Sequence, residues 1–197
     1  MMERQTPPTR SLLTSGDLRI AFERTPDGIR LKSLFDTATE RELLSALTLP
    51  LFTLKLRHCE TKKEIQLNAD AGWAQVAIES TPSGAELRWQ GPKALQEVAA
   101  ERSEQEPPTS SLEIVARATL DNEASAVRWQ LRVENKSSHW SIWRVVFPQV
   151  AVAELGEEAS VFFPRGPGEV QKGLWRRPFR HPWCRSRRLR RLPRYSP

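Results

Sequence analysis

Residues 125–148, SAVRWQLRVENKSSHWSIWRVVFP, constrain the fold more than any other stretch, because they hold the chain's cleanest period-two pattern. Val127, Trp129, Leu131 and Val133 alternate with Arg128, Gln130, Arg132 and Glu134, which predicts a strand with one buried and one wet face. After the polar connection Asn135, Lys136, Ser137 and Ser138, a second apolar run carries Trp143, Val145 and Phe147 on one face and ends at Pro148. Two antiparallel neighbours joined by a short loop are the simplest reading.

The same period recurs upstream. Leu18, Ile20 and Phe22 face opposite Arg19, Ala21 and Glu23, and Ile29, Leu31, Ser33 and Phe35 return after Thr25-Pro26-Asp27-Gly28. In that turn the Pro presets φ and the Gly accepts a positive φ. Glu42–Leu47 fits either one helical turn or a strand. Phe52, Leu54 and Leu56 alternate with Thr53, Lys55 and Arg57, predicting a strand over about Leu49–His58, and the turn CETKKE leads to Ile65 and Leu67. Trp73–Glu79 and Ala85–Gln90 flank Thr81-Pro82-Ser83-Gly84 and read as a hairpin. Residues 91–111 read as a surface insertion with room for one short helix, Leu112–Leu120 as a strand, and Val150–Leu155 and Val161–Phe163 as the last strands. Pro164 to Gly168 then stop regular structure. Around ten short strands with one apolar face predict an all-β fold, two antiparallel sheets packed as a β-sandwich.

At 197 residues the chain has the length of one sizeable domain. No run approaches the ~20 apolar residues of a membrane span, and the N-terminus lacks the basic-then-apolar layout of a signal peptide. A soluble protein without a membrane partner, cytoplasmic by default, is the expectation. The net charge of +6 is unevenly spread. Residues 172–197 contain nine Arg and one Lys with no Asp or Glu, so subtracting those ten charges leaves the first 171 residues at −4. The predicted organisation is therefore a loose N-terminal arm over 1–15, a β-sandwich domain over 16–171 and a basic, disordered tail over 172–197.

The succession GDLRIAFERTPDGIRLKSLFDTATERELL, LPLFTLKLR, VRWQLRVENKSSHWSIWRVVFPQV and VFFPRGPGE resembles the N-terminal β-supersandwich of certain large bacterial glycoside hydrolases. These are the endo-α-N-acetylgalactosaminidase-like proteins and an uncharacterised relative family, whose sandwich is of the galactose-mutarotase type. The resemblance covers roughly residues 16–177 and rests more on the order of the pieces than on any one of them. It implies a non-catalytic module that supports a (β/α)₈ barrel carrying the catalytic carboxylates. A barrel takes about 250 residues, and only twenty follow Arg177, so the expectation is a module without its catalytic domain. The tail then reads as the product of a truncated or frame-shifted gene.

Candidate chemistry is sparse. Glycoside hydrolysis needs two carboxylates flanking the bond, and among Asp70, Glu134, Glu154, Glu157 and Glu158 no motif singles out a pair. His58, His139 and His181 offer no four-ligand set even with Cys184 three residues from His181, so no metal is expected. No glycine motif for a nucleotide cofactor is present. Cys59 and Cys184 do not make a disulfide framework. Tryptophan is the stronger signal, since sugar C–H faces stack on indoles while hydroxyls meet Arg, Asn and Glu. By parity Trp89, Trp129 and Trp143 face the core, whereas Trp73 and Trp140 face away from it. Trp140 and Trp175, with Arg165 nearby, are the candidate carbohydrate platform; alternatively they cover the interface with a barrel domain. The competing function is a nucleic-acid or acidic-surface binder that uses the arginine-rich tail for non-specific polyanion contacts.

Overall fold

A computed structural model describes residues 10–81, 83–95, 112–121, 123, 126–154, 160–163 and 169–172. The strands in chain order are β1 (Arg10–Ser15), β2 (Leu18–Thr25), β3 (Gly28–Asp36), β4 (Arg41–Glu42), β5 (Thr53–His58), β6 (Glu64–Asn68), β7 (Trp73–Thr81), β8 (Gly84–Pro92), β9 (Leu112–Asp121), β10 (Ala126–Asn135), β11 (Trp140–Val146), β12 (Ser160–Phe163) and β13 (Glu169–Lys172). Among the described residues, every pairing of these strands is antiparallel. The sheets run β1-β2-β3-β4, β10-β9-β8-β7, β11-β5-β6 and β12-β13. The first three belong to one compact unit over residues 1–153, and β12-β13 forms a hairpin in a second unit over residues 154–197.

The fold is an all-β sandwich. Faces of β1, β2 and β3 pack against β7, with β1 also touching β8 and β9. Leu13, Ile20, Phe22 and Ile29 from one sheet, Leu87, Trp89, Ile114 and Ala116 from the second, and Leu54, Leu56 and Leu67 from the third form a single buried cluster. The period-two sequence pattern creates it, because alternate side chains of each strand leave water together. The corner after β6 ties the sheets to one another. Ala69 O accepts both Ile29 N–H at 2.8 Å and the Trp89 indole N–H at 2.7 Å, and Asn68 O accepts the Trp73 indole N–H at 2.7 Å. Gly28 passes so close beneath this corner that a Cβ there would sit inside the Asp70 carbonyl.

Several expectations are corrected. Residues 10–15 of the expected loose arm form β1, paired along its whole length with β2, because Leu13 can reach the core opposite Ile20. The open choice over 42–47 resolves into the short β4 and a bridge from Leu44 to Val152, and this bridge is what remains of the strand expected at Val150–Leu155. Within the insertion, Gly91 and Pro92 end β8 and Lys93–Leu95 is helical; residues 96–111 lie outside the described residues. Most consequentially, β10 and β11 are not a hairpin. β10 pairs with β9, and β11 pairs with β5 in another sheet. The intervening loop has none of the positive-φ turn residues of a tight hairpin. Its polar side chains instead stabilise a crossing. Asn135 Nδ2 donates to Trp140 O at 2.6 Å, and Ser137 Oγ accepts from His139 N and Trp140 N at 3.2 and 3.3 Å. The tail over 172–197 lies outside the described residues except for Lys172, the last residue of β13.

Candidate functional site

The site follows from one extra residue in β11. The register runs Trp140↔His58, Ser141↔Arg57 and Ile142↔Leu56, then resumes as Arg144↔Lys55 and Val145↔Leu54. Trp143 has no partner on β5 and is a β-bulge, which bends the strand and re-aims its side chain. On β5 the residues Leu54, Leu56 and His58 are buried. By register Trp140, Ile142 and Val145 share the face of those residues, although only Trp140 is buried and Ile142 and Val145 remain partly open at 38% and 43%. The bulge sets the consecutive residues Trp143 and Arg144 together on the outward one.

This reverses the expected roles of two tryptophans. Trp140, the candidate for a sugar platform, is only 5% exposed and lies edge-on to the buried His58, with ring centroids 5.1 Å apart. His58 in turn accepts Glu60 N and Thr61 N at Nδ1 and stacks on His139. Trp143, expected in the core, is 58% exposed. Counting by two across residues 140–147 misplaces both because the bulge switches parity midway. Arg165 and Trp175 lie outside the described residues. The other tryptophan expectations fare better. Trp89 is fully buried, and Trp129 packs inward, edge-on to Phe22 and Phe147, though half-buried because β10 ends its sheet. Trp73 does lie opposite in parity to Val76, yet it is buried, because Phe52 packs across it.

On the outward face of β11-β5-β6, Trp143 is the aromatic centre. The Arg57 guanidinium carbon lies 4.6 Å from its ring centroid, a cation–π contact that covers one face of the indole. Arg144 stands next to it by register. Beyond these, Lys55 Nζ pairs with Glu64 at 3.0 Å, and Gln66, Asn68, Thr53 and Gln149 form a run of amide and hydroxyl groups: Gln66 Nε2 donates to Asn68 Oδ1 at 3.3 Å, and Gln149 Nε2 to Thr53 Oγ1 at 2.7 Å. An exposed indole bordered by guanidinium, amide and hydroxyl groups can stack on a sugar ring and meet its hydroxyls.

Elsewhere the charged groups serve structure. Glu86 on β8 is held below the usual carboxylate range, chiefly by the hydrogen bond from Arg117 Nε at 2.7 Å, with Arg88 at 2.6 Å adding to it. Burial pushes the Glu42 carboxyl up, but hydrogen bonds from Ser33 Oγ and the Leu34 and Leu44 amides outweigh it and leave the group lowered. Asp36 is lowered by Thr39 Oγ1. These three carboxylates are kept ionised, the opposite of what a general acid needs. Glu134, one of the carboxylates weighed from sequence, pairs with Arg132 at 3.3 Å. Among the described residues no cluster of His, Cys, Asp and Glu is arranged to hold a metal ion. Two shallow cavities, of about 490 Å³ beside Val115, Arg117 and Gln130 and about 300 Å³ beside Leu44, Leu47 and Gln149, gather no catalytic set. Among the described residues no helix is long and apolar enough to cross a membrane.

Fold and face together describe a β-sandwich with an aromatic platform on one outer sheet. Comparison with family models, curated proteins and solved structures returns no match to this chain.

Proposed function

We propose that this chain is a non-catalytic binding module that presents the outward face of β11-β5-β6 to carbohydrate. The observation that carries the reading is Trp143, 58% open to solvent on a bulge, with the Arg57 guanidinium against its ring. Exposing a large indole forgoes roughly 1.5–3 kcal/mol of burial, and a bulge that re-aims it recurs beside functional sites. The sequence resemblance to the N-terminal sandwiches of large glycoside hydrolases supports a module that works alongside a catalytic barrel. In that setting the module would bring substrate to the barrel rather than cleave it, and purified chain would show no turnover of aryl glycosides.

The test is a titration of the protein with a panel of neutral and charged oligosaccharides, read by calorimetry, on wild type and Trp143→Ala. Binding that weakens at least about tenfold in the variant, ~1.4 kcal/mol, is the expected result. Binding that survives unchanged in Trp143→Ala, or no binding across the panel, refutes the platform.

A second reading draws on the nine Arg and one Lys of residues 172–197. Ten cations without a carboxylate would bind polyanions by counterion release, with a log–log salt slope of about −0.9 per phosphate neutralised on duplex DNA. Deleting residues 178–197 separates the two readings, since it removes polyanion retention and leaves a Trp143-dependent ligand in place.

A further inference from the structure

Resting on the carbohydrate reading of the Trp143 face, we propose that the sugar it selects is anionic, an oligosaccharide bearing carboxylate or sulfate groups. The ionisable side chains that the register places on this outward surface are Arg57, Arg144, Lys55 and Glu64. Glu64 lies directly opposite Arg57 by register, but its carboxylate pairs with Lys55, at 3.0 Å. That leaves the two guanidiniums of Arg57 and Arg144, neither of which makes an ion pair with a carboxylate among the described residues. From Lys136 to Val150 the sequence contains no Asp or Glu to approach them.

Arg57 also carries an unmet demand. Its Nε is shut off from water, and so from a surface ligand, and has no hydrogen-bond acceptor, which leaves the terminal guanidinium nitrogens as the donors a ligand can reach. Buried donors are nearly always paired, and leaving one unmade forfeits the water it gave up. The cation–π contact with Trp143 holds the guanidinium in place but accepts no hydrogen bond. Arg57 lies opposite Ser141, and Arg144 lies opposite Lys55, two positions further along β5 and past the Trp143 bulge on β11, so the two arginines are diagonal neighbours on one face. Diagonal neighbours on adjacent strands lie about 7–8 Å apart, close enough for one anionic group to meet both long side chains. An anionic group set between Arg57 and Arg144 balances both charges and forms charge-assisted hydrogen bonds with their terminal guanidinium nitrogens. A neutral sugar ring can stack on Trp143 but does none of these things. The Trp143 ring beside the two guanidiniums thus specifies a pyranose ring with an acidic substituent.

The experiment compares trigalacturonate, its methyl ester and a sulfated trisaccharide by calorimetry at one low salt concentration, using the full chain. Arg57→Gln, Arg144→Gln and Trp143→Ala are compared with wild type, each checked for an unchanged circular dichroism spectrum. The basic C-terminal run is the same in all four proteins, so its contribution to anion binding cancels in the differences. The expected result is at least tenfold tighter binding of trigalacturonate than of its ester. Each Arg→Gln change should lower that preference by about fivefold, the upper end for an exposed ion pair, and Trp143→Ala should remove binding of both. Sulfated sugar bound in place of trigalacturonate, with the same dependence on the three residues, identifies sulfate as the group. Equal affinity for acid and ester, both lost in Trp143→Ala, overturns the anionic inference while leaving the platform standing. An acid preference that both Arg→Gln variants retain also overturns it, because the charge is then read elsewhere. A titration with oligothymidylate covers the remaining case: Trp143-dependent binding of oligothymidylate without binding of any sugar overturns the inference and the platform reading together.

Discussion

Replacing each of the two tryptophans of β11 by alanine separates the bulge from simple alternation. Trp140 is 5% exposed, packs edge-on against His58 and belongs to the core cluster, so Trp140→Ala should cost about 3–5 kcal/mol, as large-to-small core changes do. Trp143 is 58% exposed, and the main contact it loses is the cation–π contact with Arg57. That contact is worth about 0.5–1 kcal/mol at an exposed site, so Trp143→Ala should cost ~1 kcal/mol or less. With a urea slope of about 2 kcal/mol/M, the midpoint should fall by about 2 M in the first variant and by less than about 0.5 M in the second. Acrylamide quenching adds an independent readout, since removing Trp143 should take away more quenchable fluorescence than removing Trp140, Trp73 or Trp89. Equal midpoint shifts, or a larger one for Trp143, would mean that strict alternation holds through residue 143 and that no aromatic platform faces outward.

Other expectations follow from the same geometry. Glu86 has its folded pKa lowered by Arg117 and Arg88, so its contribution to stability is fully present above the unfolded carboxylate value of about 4.3 and is lost as pH falls through the folded value; the wild-type urea midpoint should therefore drop below about pH 4.3, and Glu86→Gln should flatten that drop, whereas identical profiles would refute the coupling. His58→Phe keeps a ring against Trp140 but orphans the Glu60 and Thr61 amides, costing about 1–3 kcal/mol in urea unfolding; a neutral change would mean those amides find other partners. Gly28→Ala forces a Cβ into the Asp70 carbonyl, so thermal unfolding should show a loss larger than the ~1 kcal/mol of an ordinary surface change; wild-type stability would show that the corner is free to move.

The strands and most of their inward residues are legible in the sequence because burial on one face imposes a period of two. That pattern locates β2, β3, β5, β7, β8, β9 and β10 and places Leu54, Leu56, Leu87 and Trp89 in the core. The turn at Ser83-Gly84 is legible for a local reason, since few residues accept the positive φ that Gly84 adopts. The turn at Asp27-Gly28 forms where expected, but Gly28 does not take the expected positive φ, and what demands a glycine there is the close approach of the Asp70 backbone. The charge of the C-terminal run needs no structure at all.

What the pattern does not contain is which strands become neighbours. The alternation of β10 and of β11 is satisfied equally by a hairpin or by membership of two sheets, and polar capping by Asn135 and Ser137 together with pairing to β5 decides for the second. The bulge at Trp143 is likewise invisible locally. It exists only as a mismatch in count between β11 and β5, so a residue whose parity reads as core becomes the exposed centre of the candidate site. Trp73 shows the converse: its parity points away from the core, and Phe52, twenty-one positions earlier in the chain, buries it. Periodicity is set by each residue's own backbone and nearest neighbours, and so the sequence by itself determined an all-β chain with alternating strands. Partner choice and the bulge depend on long-range contacts, and so only the tertiary structure decided which indole reaches water.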